Sequence, residues 1–171
     1  TYHNCFNRMK KITIVLVEDD EVLAKVMQEE LIDAGYHVEH ASNGEEGLKL
    51  VQKKKPDLVL LDLLMPKKGG FEVLEEMKAS PATSGIPVMI LTMLGRDDDI
   101  KKGLQLGAND YIVKSQHAVG EIVEKIQKLF SEIQGTNMKL IIAIFITLFP
   151  LITFANSSVP TNRHISVHGT A

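Results

Sequence analysis

Residues 56 to 66 read PDLVLLDLLMP, and the fold turns on how this stretch is parsed. Four apolar residues, Leu58 to Leu61, stand between the pair Pro56-Asp57 and a single acid, Asp62. A run that is too short for a helix and does not alternate in polarity fits a parallel strand covered on both faces. Ile12 to Val17 (ITIVLV) and Val88 to Leu91 (VMIL) have the same character, so these three runs are expected to form the centre of one sheet. Tyr36 to Ala41 (YHVEHA) alternates in polarity and Tyr111 to Val113 (YIV) is very short, which places each of them at an edge.

The intervening segments carry helical patterns. Val22, Leu23, Val26, Met27, Leu31 and Ala34 are read as the buried face of a first helix that Gly35 stops. The second helix has Asn43 placed to cap, Glu45 and Glu46 in its first turn, and Lys53 to Lys55 before Pro56, a polarity that favours the helix dipole. Phe71, Val73, Leu74 and Met77 mark a third helix, and Asp97 to Asp99 with Ile100 and Leu104 mark a fourth. A fifth is marked by Val119, Ile122, Val123, Ile126, Leu129, Phe130 and Ile133. Five strand–helix units between residues 12 and 133 predict an α/β fold with a doubly wound, five-stranded parallel sheet in the order 2-1-3-4-5. In that order the switch point lies beside strands 1 and 3, and a site is expected at their carboxyl ends.

Composition supports one globular domain with chain left over. The 171 residues are 44% apolar and 24% charged, which excludes a collagenous, coiled-coil or wholly disordered chain. The one cysteine, Cys5, excludes an internal disulfide framework and makes a reducing, cytoplasmic setting the expectation. All 22 acids lie between residues 12 and 133 against 14 lysines and arginines there, a net charge of −8, so direct contact with nucleic acid is not expected. The six histidines show no ligand spacing and are read as surface residues.

The residues that follow the strands are Glu18 and Asp19, then Asp62, then Thr92, then Lys114. Parallel topology puts all of them on one edge of the sheet. Two carboxylates about 4 Å apart repel by ~4 kcal/mol at an effective dielectric of about 20, so such a cluster needs a cation or a shared proton. An all-oxygen set suits a hard ion such as Mg²⁺, while Lys114 offers a positive charge and Thr92 a hydroxyl. Together they are suited to phosphoryl transfer, which depends on positioning and charge neutralisation. Taken singly, Glu18 or Asp19 is more often a helix cap than a ligand, Asp20 is expected to cap, Asp57 to open a strand, and Tyr111 to be core. Asp62 resists such a reading, because a charge set between LVLL and LLMP has no local partner.

In this order and spacing the chain resembles the receiver domain of bacterial two-component response regulators, over roughly Met9 to Ile133. The resemblance is carried by VEDD at Val17 to Asp20, PDLVLLDLLMP, ILT ending at Thr92, and GANDYIVK from Gly107 to Lys114. It implies a flavodoxin-like (βα)5 fold. It further implies that Asp62 accepts a phosphoryl group from the phosphohistidine of a sensor histidine kinase or phosphotransfer protein. By the same resemblance Asp19, Asp62 and the Leu64 backbone carbonyl hold Mg²⁺, with Glu18 close by, directly or through water. Thr92 and Lys114 contact the phosphoryl group, and Tyr111 is the switch aromatic. A downstream protein reads the face made by helix 4, strand 5 and helix 5. Such a chain is not an enzyme beyond its own phosphorylation and dephosphorylation.

The rival readings are an aspartyl-nucleophile phosphatase, which wants an aspartate where Leu64 stands, and a nucleotide-binding module, which wants glycines where Glu18-Asp19-Asp20 stands. A phospho-independent pseudo-receiver is the third, and retention of all five site residues argues against it. Ser115 follows Lys114 where proline is usual, removing the favourable chemistry of the cis bond that commonly orients that lysine. Met93 follows Thr92 where a small residue is frequent and is expected to narrow access, and Gly69 replaces a frequent acid, with an expected effect on loop stiffness.

The expected domain limits are residues 9–135 for the receiver, after an extension at 1–8 with no assigned function, and a tail at 136–171. In the tail, Met138-Lys139 precedes the 16-residue run Leu140 to Ala155, made of apolar residues and threonines except for Pro150. The pattern is signal-peptide-like, and the expectation is that Met138 onward belongs to a separate secreted product or a fused reading frame. A membrane segment at 140–155 is the rival, disfavoured by its length.

Overall fold

The three unbroken apolar runs lie side by side at the centre of a single sheet in a computed structural model that describes residues 11–132. In chain order the elements are β1 (Thr13–Val17), α1 (Glu21–Asp33), β2 (His37–Ala41), α2 (Gly44–Lys54), β3 (Leu58–Leu61), α3 (Gly70–Ala79), β4 (Val88–Thr92), α4 (Asp97–Gln105) and β5 (Asp110–Val113). A last helix, α5, occupies residues 119–132. All pairings are parallel and the order is β2-β1-β3-β4-β5, as the sequence predicts. The extension at 1–8 and the apolar run at 140–155 lie outside the described residues. Among the described residues no helix is long and apolar enough to cross a membrane.

Alternation along the strands divides the core in two. Val15, Val17, Val59, Leu61, Val88 and Ile90 pack with Leu48 and Val51 of α2 and with Val73, Leu74 and Met77 of α3. Ile14, Leu16, Leu58, Leu60, Met89 and Leu91 point to the opposite face and are equally buried. Right-handed crossovers require this split, because the step from β1 to β2 runs opposite to the steps that follow. Each fully buried aliphatic side chain contributes roughly 1.5–3 kcal/mol, so the four residues of β3 anchor the strand that delivers Asp62.

Helix ends follow the local chemistry. Asp20 caps α1, its Oδ1 accepting from the amides of Val22 at 2.9 Å and Leu23 at 3.0 Å. Asn43 Oδ1 caps α2 by accepting from the Glu46 amide at 3.1 Å. Asp57 opens β3 and accepts from the Thr13 amide at 2.9 Å, tying two strand starts together.

The predicted buried face of α1 needs correction. Its buried residues are Ala24, Met27 and Leu31. Leu23 is half-buried, Ala34 is exposed, and Val22 and Val26 are 76% and 43% exposed. Apolar counting draws the stripe toward the two valines, whereas the face that the helix buries is centred on Ala24, Met27 and Leu31.

Candidate functional site

Register sets the site. Val17 pairs with Leu61, Leu61 with Ile90, and Thr92 with Val113, so the chain leaves the sheet at nearly one level with Glu18, Asp62, Thr92 and Lys114 as the next or last residues. The carboxylates of Glu18, Asp19 and Asp62 present oxygens that all lie within 4.8 Å of one another. Glu18 and Asp62 are buried while Asp19 is exposed, which leaves the cluster one open side.

Lys114 is the counter-charge. Its Nζ donates to Asp62 Oδ2 at 2.6 Å and also to Glu18 Oε2, with the lysine side chain only 7% exposed. It reaches both acids across a sheet edge although Ser115 stands in place of proline, and no described peptide bond is cis. Asp62 Oδ1 accepts from the Leu64 amide at 3.1 Å, so each oxygen of this carboxylate is held. Burial pushes the Glu18 carboxyl above its ordinary range, an effect reinforced by the charge on Asp62 and opposed by the hydrogen bond and charge of Lys114. One ammonium against three carboxylates leaves excess negative charge in an oxygen-only set, the donor chemistry that suits a hard divalent cation.

Thr92 and Tyr111 meet at the backbone of one residue, Leu94. Thr92 is fully buried and its Oγ1 accepts from the Leu94 amide at 3.4 Å, while the Tyr111 hydroxyl donates to the Leu94 carbonyl at 2.9 Å. Burial pushes the Tyr111 phenol up to about 12, with the charges of Asp99 and Asp62 adding to the shift. Leu64 and Met93 are 54% and 58% exposed and project from the loops after β3 and β4.

Sequence reasoning missed several backbone contacts at this site. His40, read as a surface residue, is half-buried, and its Nε2 lies 2.8 Å from the Glu18 carbonyl, where a ring N–H donates. The Leu94 backbone between Thr92 and Tyr111 has no side-chain signature that could have announced it.

Comparison with known proteins identifies the family and its fold. The family model for the response regulator receiver domain matches residues 14–127, and the chain belongs to that family. The transcriptional regulatory protein RprY of Bacteroides fragilis is 37% identical over 130 residues, covering 76% of this chain and 54% of the relative. A probable transcriptional regulator, ycf27 of Cyanidium caldarium, is 38% identical over 127 residues, covering 74% and 49%. The chain thus spans about half the length of these relatives. Among solved structures, chemotaxis protein CheY4 of Vibrio cholerae aligns with a TM-score of 0.65 at 26% identity over 69% of this chain and 98% of that one. A CheY-like receiver domain protein of Methanospirillum hungatei aligns at 0.68 and 26%, over 74% and 98%.

Proposed function

We propose that residues 9–135 work as a cytoplasmic phosphorelay receiver in which Asp62 takes a phosphoryl group from the phosphohistidine of a sensor histidine kinase or phosphotransfer protein. The observation that carries this reading is a buried carboxylate at the switch point of the sheet, held by a buried ammonium and faced by two further acids. An Asp62 carboxylate oxygen attacks phosphorus, the P–N bond to the donor imidazole breaks, and the nitrogen leaves with the electron pair. The product is a mixed anhydride on Asp62. Bound at Asp19, Asp62 and the Leu64 carbonyl, with Glu18 direct or through water, Mg²⁺ would neutralise charge on the transferring group. Lys114, already on Asp62, is placed to pair with a phosphoryl oxygen.

The backbone of Leu94 supports a route for the signal. When the Thr92 hydroxyl turns to the phosphoryl group, it leaves the Leu94 amide, and the carbonyl of that residue is the one that holds Tyr111. Phosphorylation then alters the face made by α4, β5 and α5, where a downstream protein is expected to bind. The hydrolase alternative is disfavoured by exposed, apolar Leu64 at the position where a general acid would stand.

The test is labelling by acetyl phosphate with and without Mg²⁺, followed by mapping of the modified residue. Label on Asp62 that needs Mg²⁺, is lost in Asp62→Asn and slows in Asp19→Asn is the expected result. Full label on folded Asp62→Asn, or a rate untouched by EDTA, would sink the assignment.

A further inference from the structure

Gly44 and Gly70 begin α2 and α3, and backbone conformation does not demand glycine at either. The described glycines with positive φ are Gly35 and Gly107. Within a helix alanine is ordinarily the better residue. Here a Cβ has no room. At Gly70 it would lie 2.1 Å from the Asp62 carbonyl oxygen and 2.7 Å from Leu63 Cα. At Gly44 it would lie 2.4 Å from the Lys68 carbonyl oxygen and 2.7 Å from Val73 Cγ2. Most of these atoms are backbone, which cannot swing aside as a side-chain tip can. They mark the two ends of the segment 62–69, which leads from the acceptor carboxylate to α3. Gly69, one residue away, is different: its Cβ would meet nothing closer than 3.8 Å, and its φ of −72° and ψ of 155° suit alanine.

We propose that Gly70, with Gly44 at the far end, is a positioning residue for the site. Without side chains, the first turns of α3 and α2 seat directly on the backbone of segment 62–69 and fix its path. That path decides two things the site uses, the direction of the Leu64 carbonyl and the Leu64 amide that holds Asp62 Oδ1 at 3.1 Å. The Gly70 amide reinforces the seating by donating to the Leu63 carbonyl at 3.1 Å. A methyl group at residue 70 must push Asp62–Leu63 away from α3, while Lys114 still holds Asp62 Oδ2 from the other side. The carboxylate then keeps its charge partner and loses its orientation. The inference rests on the reading of Asp62 as acceptor, and a misplacement of about 1 Å in such a site costs on the order of 10²-fold in rate.

The experiment compares Gly70→Ala, Gly44→Ala and Gly69→Ala in the full chain. Mg²⁺ affinity is measured by calorimetry at a temperature where circular dichroism shows each variant folded in EDTA, and labelling by acetyl phosphate is timed beside it. Gly70→Ala is expected to bind Mg²⁺ at least about tenfold more weakly and to label about 100-fold more slowly. Gly69→Ala should match the parent in both. A folded Gly70→Ala with parental Mg²⁺ affinity overturns the proposal, even if its melting point has dropped, since that pattern means packing alone. Should Gly70→Ala not fold, the same measurements on Gly44→Ala decide: weakened Mg²⁺ binding with slowed labelling upholds the proposal, and parental affinity overturns it. A parent chain that neither binds Mg²⁺ nor takes label overturns the reading of the acceptor instead. Hydrogen exchange at the Leu64 amide then decides the positioning claim: protection lost in Gly70→Ala but kept in Gly69→Ala upholds it, and protection kept in both overturns it.

Discussion

Replacing Lys114 with methionine keeps an unbranched side chain one atom shorter and removes one charge from the middle of three carboxylates. The ammonium is almost fully buried and bonded to Glu18 and to Asp62, so little solvent screening is available to soften its loss. Removing one partner of a buried ion pair typically costs ~3–5 kcal/mol. The cost has a ceiling, because the variant can instead take up a proton. An ordinary glutamate with a pKa of about 4.3 costs roughly 3–4 kcal/mol to protonate at pH 7, at about 1.36 kcal/mol per unit. Glu18 is the group that does so, since burial already holds its carboxyl above the ordinary range and loss of Lys114 raises it further. Lys114→Met is therefore expected to be about 3 kcal/mol less stable than the parent at pH 7 in EDTA.

A carboxyl whose folded pKa is raised favours the fold most below its unfolded pKa, and that advantage is lost as pH climbs through the folded value. The variant, with the larger rise, loses more between pH 5 and pH 7, by up to ~1.4 kcal/mol per unit, so its deficit against the parent narrows toward pH 5. Urea unfolding of both proteins at pH 5, 6 and 7 in EDTA measures this. Equal stability at pH 7, or a deficit that does not change with pH, would refute the electrostatic account of the site. Mg²⁺ adds a second arm. A ligand at a hundred times its dissociation constant stabilises by ~2.7 kcal/mol, and a divalent cation should stabilise the variant more than the parent because the competing ammonium is gone.

Thr92→Ala removes a hydroxyl whose bond to the Leu94 amide is long, at 3.4 Å, so stability should change by less than about 1 kcal/mol. Label at Asp62 should persist while the amide shifts of α4 and β5 on phosphorylation disappear, and retained shifts would exclude Thr92 as the reporter. Tyr111→Phe removes the bond to the Leu94 carbonyl and should cost ~1 kcal/mol by urea unfolding. In ultraviolet titration it should also delete a phenol that ionises at about 12, and loss of a phenol titrating near the ordinary value of about 10 instead would refute the upward shift.

What the sequence made legible was whatever local pattern and parallel topology fix jointly. LVLL between Pro56 and Asp62 could be placed because an unbroken apolar run has no solvent face to choose, and the sheet order followed from which runs alternate. Site residues came with it, since the residue after a parallel strand must emerge on the same edge as its neighbours. The face of α1 was harder because side-chain hydropathy does not report how closely a helix approaches the sheet. Val22 and Val26 are more apolar than Ala24, yet Ala24 has the small side chain that fits against the strands, and the larger pair are left outward. The contacts that hold the site were not legible at all where they belong to backbone: the Leu64 amide on Asp62, the Leu94 amide and carbonyl on Thr92 and Tyr111, and the carbonyl of Glu18 under His40. A carboxylate at the end of β3 would emerge there in any sheet of this order. Its orientation depends on the path of segment 62–69, and that path is set by glycines whose signal is the absence of a side chain.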